Sequence, residues 1–415
     1  MPRSWLEWLH PGIGIKRWVA LLAVGVLAFA FAVFVGVSAV ISYDILEKYG
    51  LGFLRGRFFV TGVLVGGGSV LGLAASYVGL RGAMRFARHT PDLSRRLSED
   101  LLARGPQVVA IGGGTGLAAL LGGLKHSTSN LTAVVTVADD GGSSGLLRRD
   151  MGMLPPGDIR SCLVALADDE SLLGRLFQFR FRDGGLQGHN FGNLFVAAMA
   201  EVTGDFERAV QESTSVLKVR GRVLPATLRD VQLHAQLEGG ERVAGESSIT
   251  AHERLPLRVW LSPADPPALP QAIEAIAHAD VVALGPGSLF TSVIPNVLIP
   301  QVREALRTTR ARVVYVCNVM TQPGETDGFT AADHLESLYR HGAAGLIDIV
   351  LVNDTPVSED LAEAYASRGA QPVVADDARL ESLGVHVVHA ELAAGSNVFR
   401  HDPAQLSRAV LRLAR

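Results

Sequence analysis

Two long apolar runs open the chain, and shorter apolar runs alternating with polar helical stretches fill the rest. Trp18–Ile41 has no charged residue. Its length is enough to cross the hydrocarbon core of a bilayer with some tilt. Phe58–Leu80 is a second charge-free run, rich in glycine at Gly66, Gly67, Gly68 and Gly72. Small residues let helix backbones approach closely in lipid. The pattern predicts a two-helix transmembrane anchor over residues 1–90 and a short polar helical linker over 91–105. A cleaved signal sequence fits poorly, because the first run is long for such an apolar core and no small-residue cleavage site clearly follows it.

From Gln107 the period changes. The runs QVVAI and LTAVVTV (131–137) are short, continuous and bounded by turn residues, as buried parallel strands are. GGGTG and a helical stretch, Leu117–Lys125, lie between them, completing a βαβ unit. Later runs repeat the pattern at Asp280–Ser288, Arg312–Val319 and Ile347–Asp354, with helical stretches at Leu269–Ala279 and Ala331–His341. Asp158–Leu217 reads as mostly helical, and Asp230–Trp260 as a small antiparallel meander turning at Glu238–Glu241. The prediction for residues 106–415 is therefore an α/β domain: a Rossmann-like, doubly wound, mostly parallel sheet with a helical and antiparallel insertion.

Composition sharpens this picture. Hydrophobic residues make up 48% and charged residues 19% of 415, and the apolar excess sits in the first 90. Residues 1–100 hold 11 Lys and Arg against 6 Asp and Glu, so the remainder, with 27 against 35, is acidic. An acidic body lacks the electrostatic footprint of nucleic-acid binding. Arg3, Lys16 and Arg17 precede the first run, and Arg81, Arg85, Arg88, Arg95 and Arg96 follow the second. The positive-inside rule then places both ends and the large domain in the cytoplasm, at the inner membrane. The cysteines, Cys162 and Cys317, lie in apolar stretches and read as buried thiols.

Candidate chemistry gathers at predicted strand ends. Gly112, Gly113, Gly114, Thr115 and Gly116 stand where a strand gives way to a helix. Glycine there lets backbone N–H groups and a helix N-terminus hold a phosphate. The spacing is neither the dinucleotide fingerprint, whose third glycine would fall at Leu117, nor a Walker A loop. Asp139 and Asp140 close the next strand, where an acid can bind a ribose hydroxyl, hold Mg²⁺ or cap a turn. Adjacent strand residues point opposite ways, so one of the two is expected to reach a ligand. Asp158 reads as a residue near a helix cap. His189, Asn190 and Asn193 stand at another helix start and suit base or phosphate contacts. Lys218, Arg220 and Arg222 alternate on an extended segment, and such a face matches a diphosphate. Gly285, Gly287 and Ser288 form a second glycine loop, and Asn318, Thr321, Glu325 and Asp327 lie at a further strand end. Ligands bind at the carboxyl ends of strands in such sheets, so one shared cleft is expected. No nucleophile elbow, HExxH or Ser-His-Asp signature is legible.

Seven ordered segments carry a family resemblance: IGGGTGLAALLGGLK, VTVADDGGSSGLLRRD, PPGDIRSCLVALA, GHNFGNL, VRGRVLPAT, GPGSLFTSVIPNVLIP and CNVMTQPGETDGFTAADHL. Together they resemble the YvcK-type gluconeogenesis factors, which belong with the CofD-like 2-phospho-L-lactate transferases. The resemblance implies a Rossmann-like fold and a nucleotide-type ligand, with a UDP-sugar favoured, and a link to cell shape and envelope synthesis during gluconeogenic growth. The CofD branch implies transfer of a phospholactyl group from a nucleotide-activated donor with Mg²⁺, held under that reading by Asp139 and Asp140. PPGDIR and CNVMTQPGETDG resemble the first branch more closely. The membrane hairpin departs from a commonly soluble family core. A protein partner is not legible and homo-oligomerisation is left open. A nicotinamide oxidoreductase is disfavoured by the missing third glycine.

Overall fold

A computed structural model describes residues 16–48, 55–89, 99–167, 172–252, 254–395 and 398–414. The chain divides into two compact units, Met1–Leu97 and Ser98–Arg415.

The first unit contains helices α1 (Lys16–Lys48) and α2 (Arg55–His89). They run antiparallel, because Gly36, Gly25 and Leu22 of α1 meet Val65, Gly72 and Gly79 of α2 in turn. A Cβ on Gly72 would come within 2.7 Å of the Phe29 nitrogen, and one on Gly79 within 2.6 Å of the Leu22 nitrogen. The glycines thus set the helix separation, as expected for close backbone packing. Among the described residues one stretch, Arg17–Ala39, is long and apolar enough to cross a membrane. The expectation of two spans is met in part. The second run forms a helix packed on the first, but its glycines, serines and Thr61 dilute its apolar character. Of the expected linker, residues 91–98 lie outside the described residues, and 99–103 are helical.

The second unit is built on a seven-stranded parallel sheet. Its strands are β1 (Val108–Gly112), β2 (Leu131–Val135), β3 (Arg222–Pro225), β7 (Val281–Leu284), β8 (Arg312–Val316), β9 (Ile349–Asn353) and β10 (His386–Ala390). Their spatial order is β10-β9-β8-β7-β1-β2-β3. β-Branched residues dominate them, and alternate side chains enter two separate cores. Val109, Ile111, Val134 and Tyr315 face one core; Val108, Ala110, Val135 and Val316 face the other. Burial on both faces explains why the sequence shows continuous apolar runs rather than alternation.

Between β3 and β7 the chain forms a three-stranded antiparallel sheet of β4 (Gln232–Leu237), β5 (Arg242–Ala244) and β6 (Pro256–Ser262). Its order is β5-β4-β6, so the middle strand is the first rather than the second of a simple meander. The sequence pattern marks β3 only as an extended segment and does not mark β10. The first begins on an arginine and ends on a proline, and the second is partly exposed.

From β1 the chain moves outward to β2 and β3, then crosses to β7 on the other side. The sheet therefore reverses direction between β1 and β7. A crevice forms at such a switch point, outside the carboxyl ends of the strands.

Candidate functional site

Both glycine loops meet at this switch point. β1 pairs with β7 up to Ile111 opposite Leu284, so Gly112 and Gly285 leave the sheet side by side. A Cβ on Gly112 would lie 3.7 Å from the Gly285 Cα. Gly113 precedes helix α3 (Gly114–Leu124), and Gly114 has φ +66°. Thr115 is exposed in the first turn. A Cβ on Gly116 would reach 2.6 Å from the Pro286 carbonyl oxygen, so this position admits only glycine without displacing the second loop. Buried Asn296 joins the loops from beneath, donating from Nδ2 to the Gly112 carbonyl at 3.3 Å.

The second loop is braced by the CNVMTQPGETDG segment. Asn318 holds both sides of Gly287: the Gly287 N–H donates to its Oδ1 at 3.3 Å, and its Nδ2 donates to the Gly287 carbonyl at 2.9 Å. The Ser288 hydroxyl donates to Gln322 Oε1 at 2.7 Å. Fully buried Glu325 accepts from the Phe290 and Thr291 N–H groups at 2.8 and 3.1 Å. Burial pushes its carboxyl up to about 7, against the lowering effect of those bonds.

The opposite wall is made of helix starts. Helices α4 (Gly142–Met151), α5 (Gly157–Leu166) and α6 (Phe191–Thr203) begin beside α3. Asp158 of α5 lies against Gly113, and Gly157 lies against Asp139 and Ser144. Asn190 caps α6 by accepting from the Asn193 N–H at 3.2 Å, and its own N–H donates to Ser143 at 3.2 Å. Asn193 Nδ2 donates to Ser144 Oγ at 3.4 Å, and Ser143 Oγ lies 3.4 Å from His189 Nδ1. Four helix N-termini thus converge, each with a partial positive charge.

Acids balance that charge. Burial first, and Asp139 second, raise Asp158 from 3.8 to about 7, although it accepts a bond from the Gly114 backbone. Burial and the neighbouring Asp139 and Asp158 raise Glu246 to about 9, where it hydrogen-bonds Asp139. Near neutral pH Glu246 therefore holds a proton that it can share with Asp139.

The two adjacent aspartates lie past the end of β2 and take different partners. Asp139 faces the cleft, with Oδ1 accepting from the Gly141 N–H at 2.8 Å. Asp140 turns to the short helix Glu246–Thr250, accepting from the Ser247 N–H at 2.9 Å and from its hydroxyl. Among the described residues no group of three or more His, Cys, Asp or Glu is placed to hold a metal ion.

Lys218 and Arg222 do not join the cleft. Lys218 ends the helix Phe206–Leu217, and Arg222 starts β3, registered opposite Thr132 and donating to its hydroxyl at 3.3 Å. In a parallel sheet that is the N-terminal edge, opposite the glycine loops. Arg222 instead lines a cavity of about 400 Å³ with Gln107, Asn130 and Thr132. Alternation along an extended segment identifies a shared face, but not the end of the sheet that the face adjoins. The cleft gains residues absent from the expected ligand set: Ser143, Ser144, Asp158, Arg160 and Glu246. The serines and Asp158 lie within motifs legible in the sequence. Glu246 lies more than a hundred residues from Asp139 and carries no local signal. Both cysteines are buried, as expected.

Residues 108–393 match the family described as 2-phospho-L-lactate transferase CofD. The gluconeogenesis factor of Bacillus subtilis is 46% identical over 310 residues, covering 74% of this chain and 98% of that protein. A relative from Nostoc sp. is 46% identical over 423 residues, covering 99% of this chain and 92% of its own. A crystal structure of a UPF0052 family member from Bacillus halodurans is similar with a TM-score of 0.72 at 49% identity, covering 74% of this chain and 99% of that one. With its glycine loops at the switch point of a Rossmann-like sheet, the chain belongs to the CofD-like family, among its YvcK-type gluconeogenesis factors.

Proposed function

We propose that the protein is a membrane-anchored, cytoplasm-facing regulator that binds a nucleotide sugar, with a UDP-sugar favoured. The observation that carries this reading is the meeting of two glycine loops with four helix N-termini at the β1/β7 switch point. Backbone N–H groups and helix dipoles suit phosphates, and polar side chains on the opposite wall suit a sugar or base. The apolar helix Arg17–Ala39 supports anchoring, and the basic flanks of the first unit support an inner-membrane protein with both ends inside. The family link to gluconeogenic growth supports a role in directing carbon toward the envelope and cell shape.

The family match motivates a second reading, a phospholactyl-type transferase using a nucleotide-activated donor and Mg²⁺. A thermal-shift screen of nucleotides and nucleotide sugars, with and without Mg²⁺, separates the two. A ligand that binds only the folded protein raises Tm with its occupancy. Stabilisation by UDP-sugars without turnover supports the regulator. Sustained Mg²⁺-dependent consumption of an activated donor overturns it in favour of the transferase. No response across a saturating panel refutes both.

A further inference from the structure

The displacement of Lys218 and Arg222 to the far edge of the sheet leaves a diphosphate without the cations the sequence suggested. Two other arginines border the cleft. The Arg160 side chain, from α5, lies against the start of α6: a Cβ on Gly192 would come 2.8 Å from its Cδ and 2.9 Å from its Cγ. Its Nε donates to Asn193 Oδ1 at 2.9 Å and its Nη2 to Ser161 Oγ at 3.0 Å. Arg180 stands opposite Asn190 in an antiparallel bridge, and its Nη1 donates to the Gly188 carbonyl at 2.6 Å. The two arginines thus frame the same turn, Asn190–Gly192, from two sides.

Their hydrogen-bond partners, among the described residues, are neutral. Part-buried Arg160, held by an amide and a hydroxyl beside a second guanidinium, keeps capacity to pair with an anion. Burial and the Arg180 charge both lower the pKa of Arg160, and Asp158 and Asp139 offset this only in part. Guanidinium groups match phosphate oxygens in a fixed fork that lysine cannot reproduce.

We propose that Arg160 and Arg180 are the diphosphate-reading pair of this cleft, taking the phosphates of a nucleoside diphosphate beside the first turn of α6. This rests on the nucleotide reading above and adds the residues that recognise the second phosphate. Arg160 reaches the start of α6 from α5, and Arg180 reaches it from the segment that precedes α6.

The test uses the full chain in detergent and isothermal calorimetry with three probes: UDP, UMP and inorganic pyrophosphate. The variants are Arg180→Ala, at an exposed position that leaves the core untouched, and Arg160→Gln, with Arg160→Lys as the charge-conserving control. Thermal melts establish that each variant is folded. The parent chain is expected to bind UDP about tenfold or more tighter than UMP, the scale of charge-assisted bonds to one extra phosphate. In Arg180→Ala and Arg160→Gln that preference should fall to about twofold or less and pyrophosphate binding should vanish, while Arg160→Lys keeps part of both. Variants that retain the parent's UDP preference overturn the proposal and leave the nucleotide reading standing. Pyrophosphate binding that depends on the arginines, without binding of either nucleotide, keeps the anion pair and overturns the nucleotide reading. Absence of binding by all three probes overturns both.

Discussion

Asp158 is the residue whose replacement tests the electrostatics of the cleft most directly. Its carboxyl is buried at the start of α5, against Gly113 and the Gly114 N–H, with Asp139 beside it. Burial raises it from 3.8 to about 7, so it binds a proton in the folded protein that the unfolded chain has already released. Stability should therefore fall as pH rises from about 4 to about 7 and stay low above that, because the folded state binds more protons across this window. The rise corresponds to at most about 4 kcal/mol, at about 1.4 kcal/mol per pH unit. Glu246 is raised in the same cluster, and an asparagine loses the charge-assisted bond from Gly114, so roughly half should be recovered. Asp158→Asn is thus expected to be about 2 kcal/mol more stable than the parent at pH 8, or about 4 °C in Tm, and to show no gain at pH 4. The same change should strengthen nucleotide binding at pH 8, because the side chain no longer places a negative charge at the loop. Calorimetric melts at pH 4, 6 and 8 read the first effect and titration calorimetry the second. A gain equal at pH 4 and pH 8, or a loss at pH 8, refutes the reasoning.

Gly116→Ala should weaken both fold and ligand binding, since its methyl group would press on the Pro286 carbonyl; overpacking of this kind costs about 1–3 kcal/mol and should appear as a lower Tm. Asn318→Ala removes both bonds that hold the Gly287 peptide, and should cost about 1–2 kcal/mol in a denaturant midpoint and more in ligand affinity than in stability. The double change Lys218→Ala, Arg222→Ala should leave nucleotide affinity within about twofold, since both residues lie at the far end of the sheet; a tenfold loss would contradict the strand register. Gly72→Leu should separate α1 from α2, and faster amide exchange at Gly25–Phe29 would report it.

The parts of this molecule legible in the sequence are those specified over short distances. Buried strands such as VVAIG and LTAVV are continuous because both faces are covered, and that signal survives in a single sequence. The glycine loops are legible because β1 and β7 leave the sheet together and their turns need close backbone approach. The place of Asn190 at a helix start is legible from the apolar helical run that follows it. What was misplaced depended on long-range geometry. Arg222 lies on an extended segment as expected, yet the alternation of VRGRV cannot say whether its arginines stand at the start or the end of a strand. Glu246 reaches Asp139 only because the antiparallel insertion folds back over the β2 end, which no local pattern encodes. The second apolar run shows a different limit. Its glycines read correctly as a packing surface, and the same glycines reduce the apolarity that a membrane span requires.

The acids and the phosphate-type loop belong to one site for a physical reason. Converging helix starts bring partial positive charges near one another, which is unfavourable in a partly buried site. Asp158 answers this at Gly114, as Asp139 does at Gly141. Those carboxylates occupy directions an anionic ligand would use, so a ligand must compete with them for the same N–H groups. Protonation relieves the competition, and Asp158 and Glu246 are both raised far enough to hold protons near neutrality. A cleft balanced in this way exchanges an internal acid for a bound anion with little change in net charge, as the proposed nucleotide-sugar reading requires.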